Sequence, residues 1–166
     1  HTRRYMIDFM VIGLPRSRTT WMANWLTTTS TLCLHDAIST HTQAELDSYP
    51  TNRKFGISET AIFHLGSKLN AHPAKKLIIH RPIHEIYKSI GRPIPFPNAD
   101  CLLQEIKGLR IQHKDINSRA EEIWMHLIGS KFDSKRFNVL SGMNVQPNFK
   151  GLRPQNQKVI QTWLGF

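Results

Sequence analysis

The amino-acid sequence predicts a three-layer α/β fold, in which helices cover both faces of a mainly parallel sheet of about four to five strands. Short apolar segments of strand length alternate along the chain with amphipathic segments of helix length. Successive parallel strands need right-handed crossovers, and these put the connecting helices on both faces of the sheet. With 166 residues, the chain has the length of one domain. We therefore predict a single domain over residues 1–166.

The strands are predicted from short apolar runs that end at turn-forming or polar residues. The first run, Tyr5–Ile12, is almost continuously apolar, as in a strand that is buried on both faces. Gly13 and Pro15 end it. The run Leu77–His80 follows two lysines and ends at Arg81. The same pattern predicts further strands at Leu32–His35, Phe55–Ser58 and Phe137–Leu140.

The helices are predicted from apolar residues that recur every three to four positions. In the first helix, Met22, Trp25 and Leu26 share one side. Another helix begins behind Pro82, because proline is favoured in the first turn, and it ends at Gly91. The predicted helices are Thr19–Leu26, Thr40–Tyr49, Thr60–Asn70, Ile83–Ile90, Cys101–Gln112, Ile116–Ile128 and Gln155–Leu164.

The charge of the chain predicts an anionic partner, substrate or cofactor. Lys and Arg number 22 against 12 Asp and Glu, which gives a formal net charge of +10. Nucleic acid is disfavoured as that partner, because the basic residues are spread along the chain without a basic helix or an aromatic RNA-binding strand. A nucleotide that carries several phosphates also fits the charge.

Several classes of protein are disfavoured by what the sequence lacks. No apolar run reaches the roughly 18 residues of a membrane span. The N-terminal HTRRYMIDF has no long apolar stretch, so we expect no signal peptide and a cytoplasmic location. Cys33 and Cys101 form no spacing motif, and no pair of histidines lies beside a glutamate at helical spacing. We therefore expect neither a redox pair nor a bound metal.

The turn after the first strand has the composition of an anion-binding loop. The segment GLPRSRTTWMANWL leads from the strand into the first helix, where unpaired backbone N–H groups point at one position. Two arginines and three hydroxyl side chains add donors there, namely Arg16, Ser17, Arg18, Thr19 and Thr20. The Walker pattern is not met, because Arg18 and Thr19 replace its last glycine and its lysine. The structural alternative is a capped helix with surface arginines.

The segment Pro15–Trp21 resembles the phosphosulfate loop of sulfotransferases that use 3′-phosphoadenosine 5′-phosphosulfate. In that family a proline precedes the pattern [KR]-S-G-T-T-W, and every position except Arg18 matches here. A second family signature, a strand-end Arg with a Ser in the next helix, is matched by Arg81 and Ser89, eight residues apart in LIIHRPIHEIYKSIG. The resemblance covers about the first 90 residues and implies a P-loop NTPase-like fold.

The resemblance implies that a sulfuryl group passes by in-line displacement from 3′-phosphoadenosine 5′-phosphosulfate to a hydroxyl or amine acceptor, without a metal. The product of the donor is then adenosine 3′,5′-bisphosphate. Arg16 is expected to stabilise the leaving oxygen, Trp21 to stack on the adenine, and Arg81 with Ser89 to bind the 3′-phosphate. The implied cofactor-binding segment is Pro15, Arg16, Ser17, Arg18, Thr19, Thr20 and Trp21.

Three side chains are candidates for the general base, in the order Asp36, Glu59 and His35. Where the family uses a carboxylate, it lies about twenty residues after the loop's basic residue, and Asp36 stands there beside His35. Where the family uses a histidine, it lies about twenty-two residues before the 3′-phosphate arginine, and Glu59 stands there. Neighbours in a strand point to opposite faces, so His35 and Asp36 are not both expected to face the site.

Arg18 is the one departure from the loop pattern, because the family has a glycine there. Either the loop has a different shape, or Arg18 is an additional clamp on sulfate or substrate. Three alternative functions stay open: a nucleotide or small-molecule kinase, a basic nucleic-acid-binding domain, and a catalytically inactive nucleotide binder. The identity of the acceptor, which the family draws from small molecules, glycans and peptides, does not follow from the sequence. Neither does the oligomeric state.

Overall fold

A computed structural model describes residues 7–49, 52–94, 97–144 and 164–165. Its described part contains a five-stranded sheet in the order β2-β3-β1-β4-β5. Every neighbouring pair of strands in it is parallel. The strands are β1 Phe9–Gly13, β2 Thr31–His35, β3 Lys54–Glu59, β4 Lys75–His80 and β5 Leu109–Gln112.

Helices cover both faces of this sheet, which confirms the predicted α/β class. The α-helices are α1 Thr19–Trp25, α2 Ala37–Thr40, α3 Gln43–Asp47, α4 Ile83–Ile90, α5 Ala99–Glu105, α6 Ala120–Leu127 and α7 Ser134–Ser141. Two 3₁₀ segments, Ile62–Ala71 and His113–Asp115, complete the described elements. None of the described helices has the length and apolar character that a membrane crossing requires.

The central strand β1 divides the core into two clusters. All five of its residues are buried. Met10 and Ile12 pack with residues of α2 to α5, whereas Phe9 and Val11 pack with residues of α1, α6 and α7. Burial of one large apolar side chain contributes about 1.5–3 kcal/mol. Both faces of β1 therefore hold the strand in place, and with it the loop that follows.

Most of the predicted elements near the loop are confirmed. The predicted helices Thr19–Leu26 and Ile83–Ile90 correspond to α1 and α4. The predicted strands Leu32–His35, Phe55–Ser58 and Leu77–His80 correspond to β2, β3 and β4. The first strand begins later than predicted, at Phe9, and residues 5 and 6 lie outside the described residues. The predicted helix Gln155–Leu164 also lies outside them, apart from its last residue.

The predicted helix Cys101–Gln112 is wrong in its second half. Helix α5 ends at Glu105, and β5 follows it. Leu109 and Ile111 alternate with polar residues, which is the period of a strand. Before them, Gly108 passes so close to β4 that a Cβ atom there would lie 2.6 Å from the backbone oxygen of Lys76. The chain therefore leaves the helix and joins the sheet as an edge strand.

The predicted strand Phe137–Leu140 is also wrong, because these residues lie in α7. The side chain of Asp133 accepts a hydrogen bond from the backbone nitrogen of Arg136 at 3.0 Å, and so caps the helix. Phe137 is buried, whereas the next two residues are exposed. One buried aromatic side chain on a helix thus produced an apolar run that resembles a short strand.

Three predicted helices have different bounds. In place of Thr60–Asn70, a 3₁₀ segment changes direction at Gly66, whose φ is 51°. Helix α6 begins four residues later than the predicted Ile116–Ile128. The segment Thr40–Tyr49 contains the end of α2 and the short helix α3, which begins behind Thr42.

The strand order creates a crevice at the carboxyl ends of β1 and β4. From β1 the chain crosses to β2 on one side, whereas from β4 it crosses to β5 on the other side. Helix α1 packs on one face of the sheet and α4 on the other. In open α/β sheets, ligands bind where neighbouring strands send their connections in opposite directions. Both sequence motifs begin at this crevice, Pro15–Trp21 after β1 and Arg81 after β4.

Candidate anion-binding site

The loop between β1 and α1 has two residues with left-handed backbone. Arg16 has a φ of 66° and Arg18 a φ of 63°. This conformation costs a residue with a Cβ atom about 1–2 kcal/mol. Arg18 therefore has the backbone conformation that a glycine adopts without strain, and it also provides a guanidinium group at this position. Residues held in such conformations cluster at functional sites.

Ser17 lies inside the turn of the loop. Its side chain is 0% exposed, and its Oγ atom has no hydrogen-bond partner among the described residues. A Cβ atom on Gly13 would lie 3.3 Å from the Cβ atom of Ser17, so the loop folds closely over the end of β1. A buried hydroxyl that lacks a partner costs about 1–3 kcal/mol. The loop thus contains a polar group that a bound oxyanion or a water molecule can satisfy.

The first turn of α1 is fixed by the neighbouring strands. The Nε2 atom of His35, at the end of β2, lies 3.2 Å from Thr19 Oγ1 and 3.1 Å from Thr20 Oγ1. The Oγ atom of Ser58, on β3, donates to the backbone oxygen of Thr19 at 2.6 Å. Burial lowers the pKa of His35, although the nearby Asp36 carboxylate opposes this shift. The imidazole is therefore neutral near pH 7.

Asp36 is held by the loop after β3. It has a φ of 47°, and its Oδ1 atom accepts hydrogen bonds from Thr60, at 2.8 Å from the backbone nitrogen and 3.1 Å from Oγ1. Its Oδ2 atom lies 3.5 Å from Nε2 of His35. The carboxylate of Asp36 therefore links the ends of β2 and β3, and it makes no cap bond to α2.

Glu59, the last residue of β3, is 1% exposed. Its Oε1 atom accepts a hydrogen bond from the backbone nitrogen of Ile38 at 3.3 Å. Burial, followed by repulsion from Asp36, raises the pKa of Glu59 well above its ordinary value. Of the three candidate bases, His35 is therefore the one that touches the hydroxyl groups of the loop, whereas the two carboxyl groups are engaged with neighbouring backbone.

The second motif meets the first through Arg81. Its Nη1 atom donates a hydrogen bond to the backbone oxygen of Arg16. Its Nε atom lies 3.3 Å from Oε2 of Glu85, one turn further along α4. Ser89 is exposed in the last turn of α4, and no hydrogen bond joins it to Arg81 in the described part of the chain. The structure thus brings Arg81, but not Ser89, into direct contact with the loop.

Trp21 lies in the core rather than at the surface. It is 6% exposed, its Nε1 atom donates to the backbone oxygen of Leu140 at 2.7 Å, and its ring stacks on Trp25 with centroids 5.3 Å apart. The guanidinium of Arg18 lies over the same ring, 4.0 Å from its centroid. Stacking of an adenine on Trp21, as predicted from the sequence, would require Arg18 to move.

Two site residues, His113 and Asn117, escaped the sequence analysis. Oδ1 of Asn117 accepts a hydrogen bond from Nη1 of Arg18 at 2.6 Å. His113 follows β5 directly, and burial together with Arg81 and Arg18 lowers its pKa. His113 lies between the two predicted helices Cys101–Gln112 and Ile116–Ile128, and Asn117 lies near the start of the second. The alternation in Leu109–Gln112 is the signal that would have placed them at the carboxyl end of a strand.

The side-chain groups at the loop are hydroxyl, guanidinium and imidazole groups, which suit an oxyanion. Within the described ranges, no three His, Cys, Asp or Glu side chains are grouped so that they could hold a metal ion. Comparison with known proteins found no family model, no curated protein and no solved structure that matches this chain.

Proposed function

We propose that the protein is a sulfotransferase that uses 3′-phosphoadenosine 5′-phosphosulfate. The observation that supports this most directly is the hydrogen bond from Arg81 to the backbone oxygen of Arg16. It joins the two segments that carry the sulfotransferase-like motifs, at the crevice between β1 and β4. Motifs that occurred by chance would not be expected to meet at a position where α/β sheets bind ligands.

The residues of the loop fit a phosphosulfate group. The buried Ser17 hydroxyl lacks a partner among the described residues and can bind an oxyanion oxygen. Arg16, in the same loop, is exposed. The pattern that provides phosphate contacts in many kinases, a lysine at the end of the loop, is replaced by Thr19. This difference favours a sulfuryl donor over ATP.

The bound donor would supply an activated sulfuryl group on a phosphate leaving group. Arg16 would stabilise the charge that develops on that phosphate. Thr19 and Thr20 would orient the equatorial oxygens, while His35 fixes both hydroxyl groups. His35, with its neutral imidazole, is the candidate that would accept the proton of the acceptor, and Asp36 would stabilise the resulting imidazolium. We therefore place His35 before Asp36 and Glu59 as the candidate for the general base, whereas the sequence suggested the order Asp36, Glu59 and His35.

The test is calorimetric titration of the protein with adenosine 3′,5′-bisphosphate. We expect binding that Arg81→Ala weakens by about tenfold to a hundredfold, because a charge-assisted hydrogen bond contributes about 1.5–3 kcal/mol. Ser89→Ala is expected to weaken it less. Lys75→Ala is the matched control, because it removes an exposed positive charge at the opposite end of β4.

Absence of binding at moderate salt, or binding of ATP with magnesium alone, would refute the sulfotransferase function. Binding without turnover across a panel of hydroxyl and amine acceptors would identify an inactive nucleotide binder. Where turnover is found, release of adenosine 3′,5′-bisphosphate is measured for His35→Asn and for Asp36→Asn. If His35 is the base, we expect the first variant to lose turnover while it keeps affinity for the bisphosphate.

A further inference from the structure

Arg81 and His113 follow directly on the carboxyl ends of the paired strands β4 and β5. His80 pairs with Gln112 in the register of these parallel strands. Arg81 and His113 are the first residues after these strands, so both lie at the same edge of the sheet. The two residues come from segments that are 32 positions apart in the chain, and the sheet alone brings them together.

Arg18 reaches the same place from the loop after β1. Its bond to Asn117, four residues beyond His113, holds the guanidinium against the segment that follows β5. That bond engages one of the five N–H donors of the guanidinium. The contact spans 99 positions of sequence, and it is made from a residue with left-handed backbone.

The negative charge in this group is smaller than its positive charge. Glu85 lies near Arg81, but its side chain is 47% exposed and is screened by solvent. Burial, followed by the charges of Arg81 and Arg18, lowers the pKa of His113, and Glu85 opposes this shift. Two guanidinium groups beside a neutral imidazole and an amide, with one solvent-screened carboxylate, are a suitable donor set for a doubly charged oxyanion.

We propose that Arg18, Arg81, His113 and Asn117 form a second oxyanion subsite, named here the β5 subsite, which binds a phosphate or sulfate monoester. A guanidinium group can donate bidentate hydrogen bonds to two oxygens of such an ester. The ester belongs either to the ribose of the donor nucleotide or to an anionic acceptor, and both assignments rest on the proposed function. The left-handed Arg18 is then a specificity residue, which holds a binding group where the family loop has glycine.

The test is an NMR titration of the His113 imidazole with inorganic sulfate, in the wild type and in Arg18→Ala. We expect the imidazole resonance to shift on binding, with an affinity about tenfold lower in the variant because one charge-assisted contact is lost. Asn117→Ala is the second variant, since it leaves both guanidinium groups in place and is expected to lower affinity less. Lys75→Ala is the control and is expected to bind as the wild type does. A His113 resonance that does not move, or equal affinity in Arg18→Ala, would overturn the proposal.

The source of the ester is determined by comparing the affinity of the protein for adenosine 3′,5′-bisphosphate with its affinity for adenosine 5′-monophosphate. If the ester is the 3′-phosphate of the donor, His113→Ala and Arg18→Ala lower the preference for the bisphosphate about tenfold. If it belongs to the acceptor, that preference is unchanged while the sulfate response at His113 is still lost in Arg18→Ala. A sulfate response in a protein that binds neither nucleotide would support the β5 subsite and refute the sulfotransferase function.

Discussion

The left-handed backbone of Arg18 makes a measurable prediction about stability. Arg18→Gly and Arg18→Ala both remove the contacts with Asn117 and Trp21, so those losses cancel when the two variants are compared. They differ in the Cβ atom, which costs about 1–2 kcal/mol at a φ of 63°. The advantage of glycine over alanine in the folded state is reduced by about 0.5–1 kcal/mol, because the unfolded chain has more conformational freedom when it contains glycine. We expect Arg18→Gly to be more stable than Arg18→Ala by about 0.5–1 kcal/mol.

The assay is urea unfolding followed by circular dichroism, with the free energies compared at a common slope. In a chain of this length, the expected difference corresponds to about 1–4 °C in melting temperature. The matched control is the pair Asn138→Gly and Asn138→Ala, at an exposed position inside α7. There the sign reverses, because glycine is about 1 kcal/mol less favourable than alanine within a helix. If Arg18→Ala is at least as stable as Arg18→Gly, the left-handed strain inferred for the loop is wrong.

Three further predictions concern the residues around the site. The pKa of Glu59 is raised in the folded state, so the free energy of unfolding of the wild type is expected to fall as the pH rises above the ordinary value of 4.5 and through the raised pKa. Glu59→Gln is expected to lack this pH dependence. Parallel curves of stability against pH for the two proteins from pH 4 to 9 would contradict the prediction. Gly56→Ala would place a Cβ atom 2.1 Å from a ring carbon of the buried Phe9, so thermal unfolding is expected to show that the protein loses about 1–3 kcal/mol of stability or more. Gly142→Ala is the control and is expected to be tolerated, because its Cβ atom would lie 3.9 Å from the nearest atom. Arg136 donates to the backbone oxygens of Trp25, Asn24 and Thr27 at the end of α1; Arg136→Ala is expected to cost about 2–3 kcal/mol in urea unfolding, and Arg136→Lys, which cannot span all three oxygens, to recover only part of it.

The part of the fold that could be predicted from the sequence is the part with strong local signals. β1 is a buried strand and reads as a continuous apolar run, and α4 is bounded by Pro82 and Gly91. β5 was missed because it is a four-residue edge strand whose alternation is hidden inside a longer apolar pattern. The pairing that makes it a strand is with β4, which is distant in the sequence, and periodicity within a segment carries no information about such pairing.

The candidate site also contains residues that could be predicted from sequence motifs and residues that could not. The residues of the loop and Arg81 belong to contiguous motifs, and their placement at neighbouring strand ends follows from the parallel topology. The bond between Arg18 and Asn117 joins residues 99 positions apart, and Asn117 belongs to no motif. The burial of Glu59 and the engagement of Asp36 by Thr60 also depend on how β2 and β3 end side by side. The order of the three base candidates could therefore be revised only once the packing was known.

The contact of Arg18 with Trp21 gives the site an optical signal of its own. Trp21 stacks on Trp25, whose ring centroid lies 5.6 Å from that of Trp124, so three indoles form one cluster beside the loop. Indole emission responds to the electric field of nearby charges, and the guanidinium of Arg18 is 4.0 Å from the Trp21 centroid. A ligand that draws Arg18 away from the ring changes this field without any added label. We therefore expect the intrinsic fluorescence to change when a ligand moves Arg18.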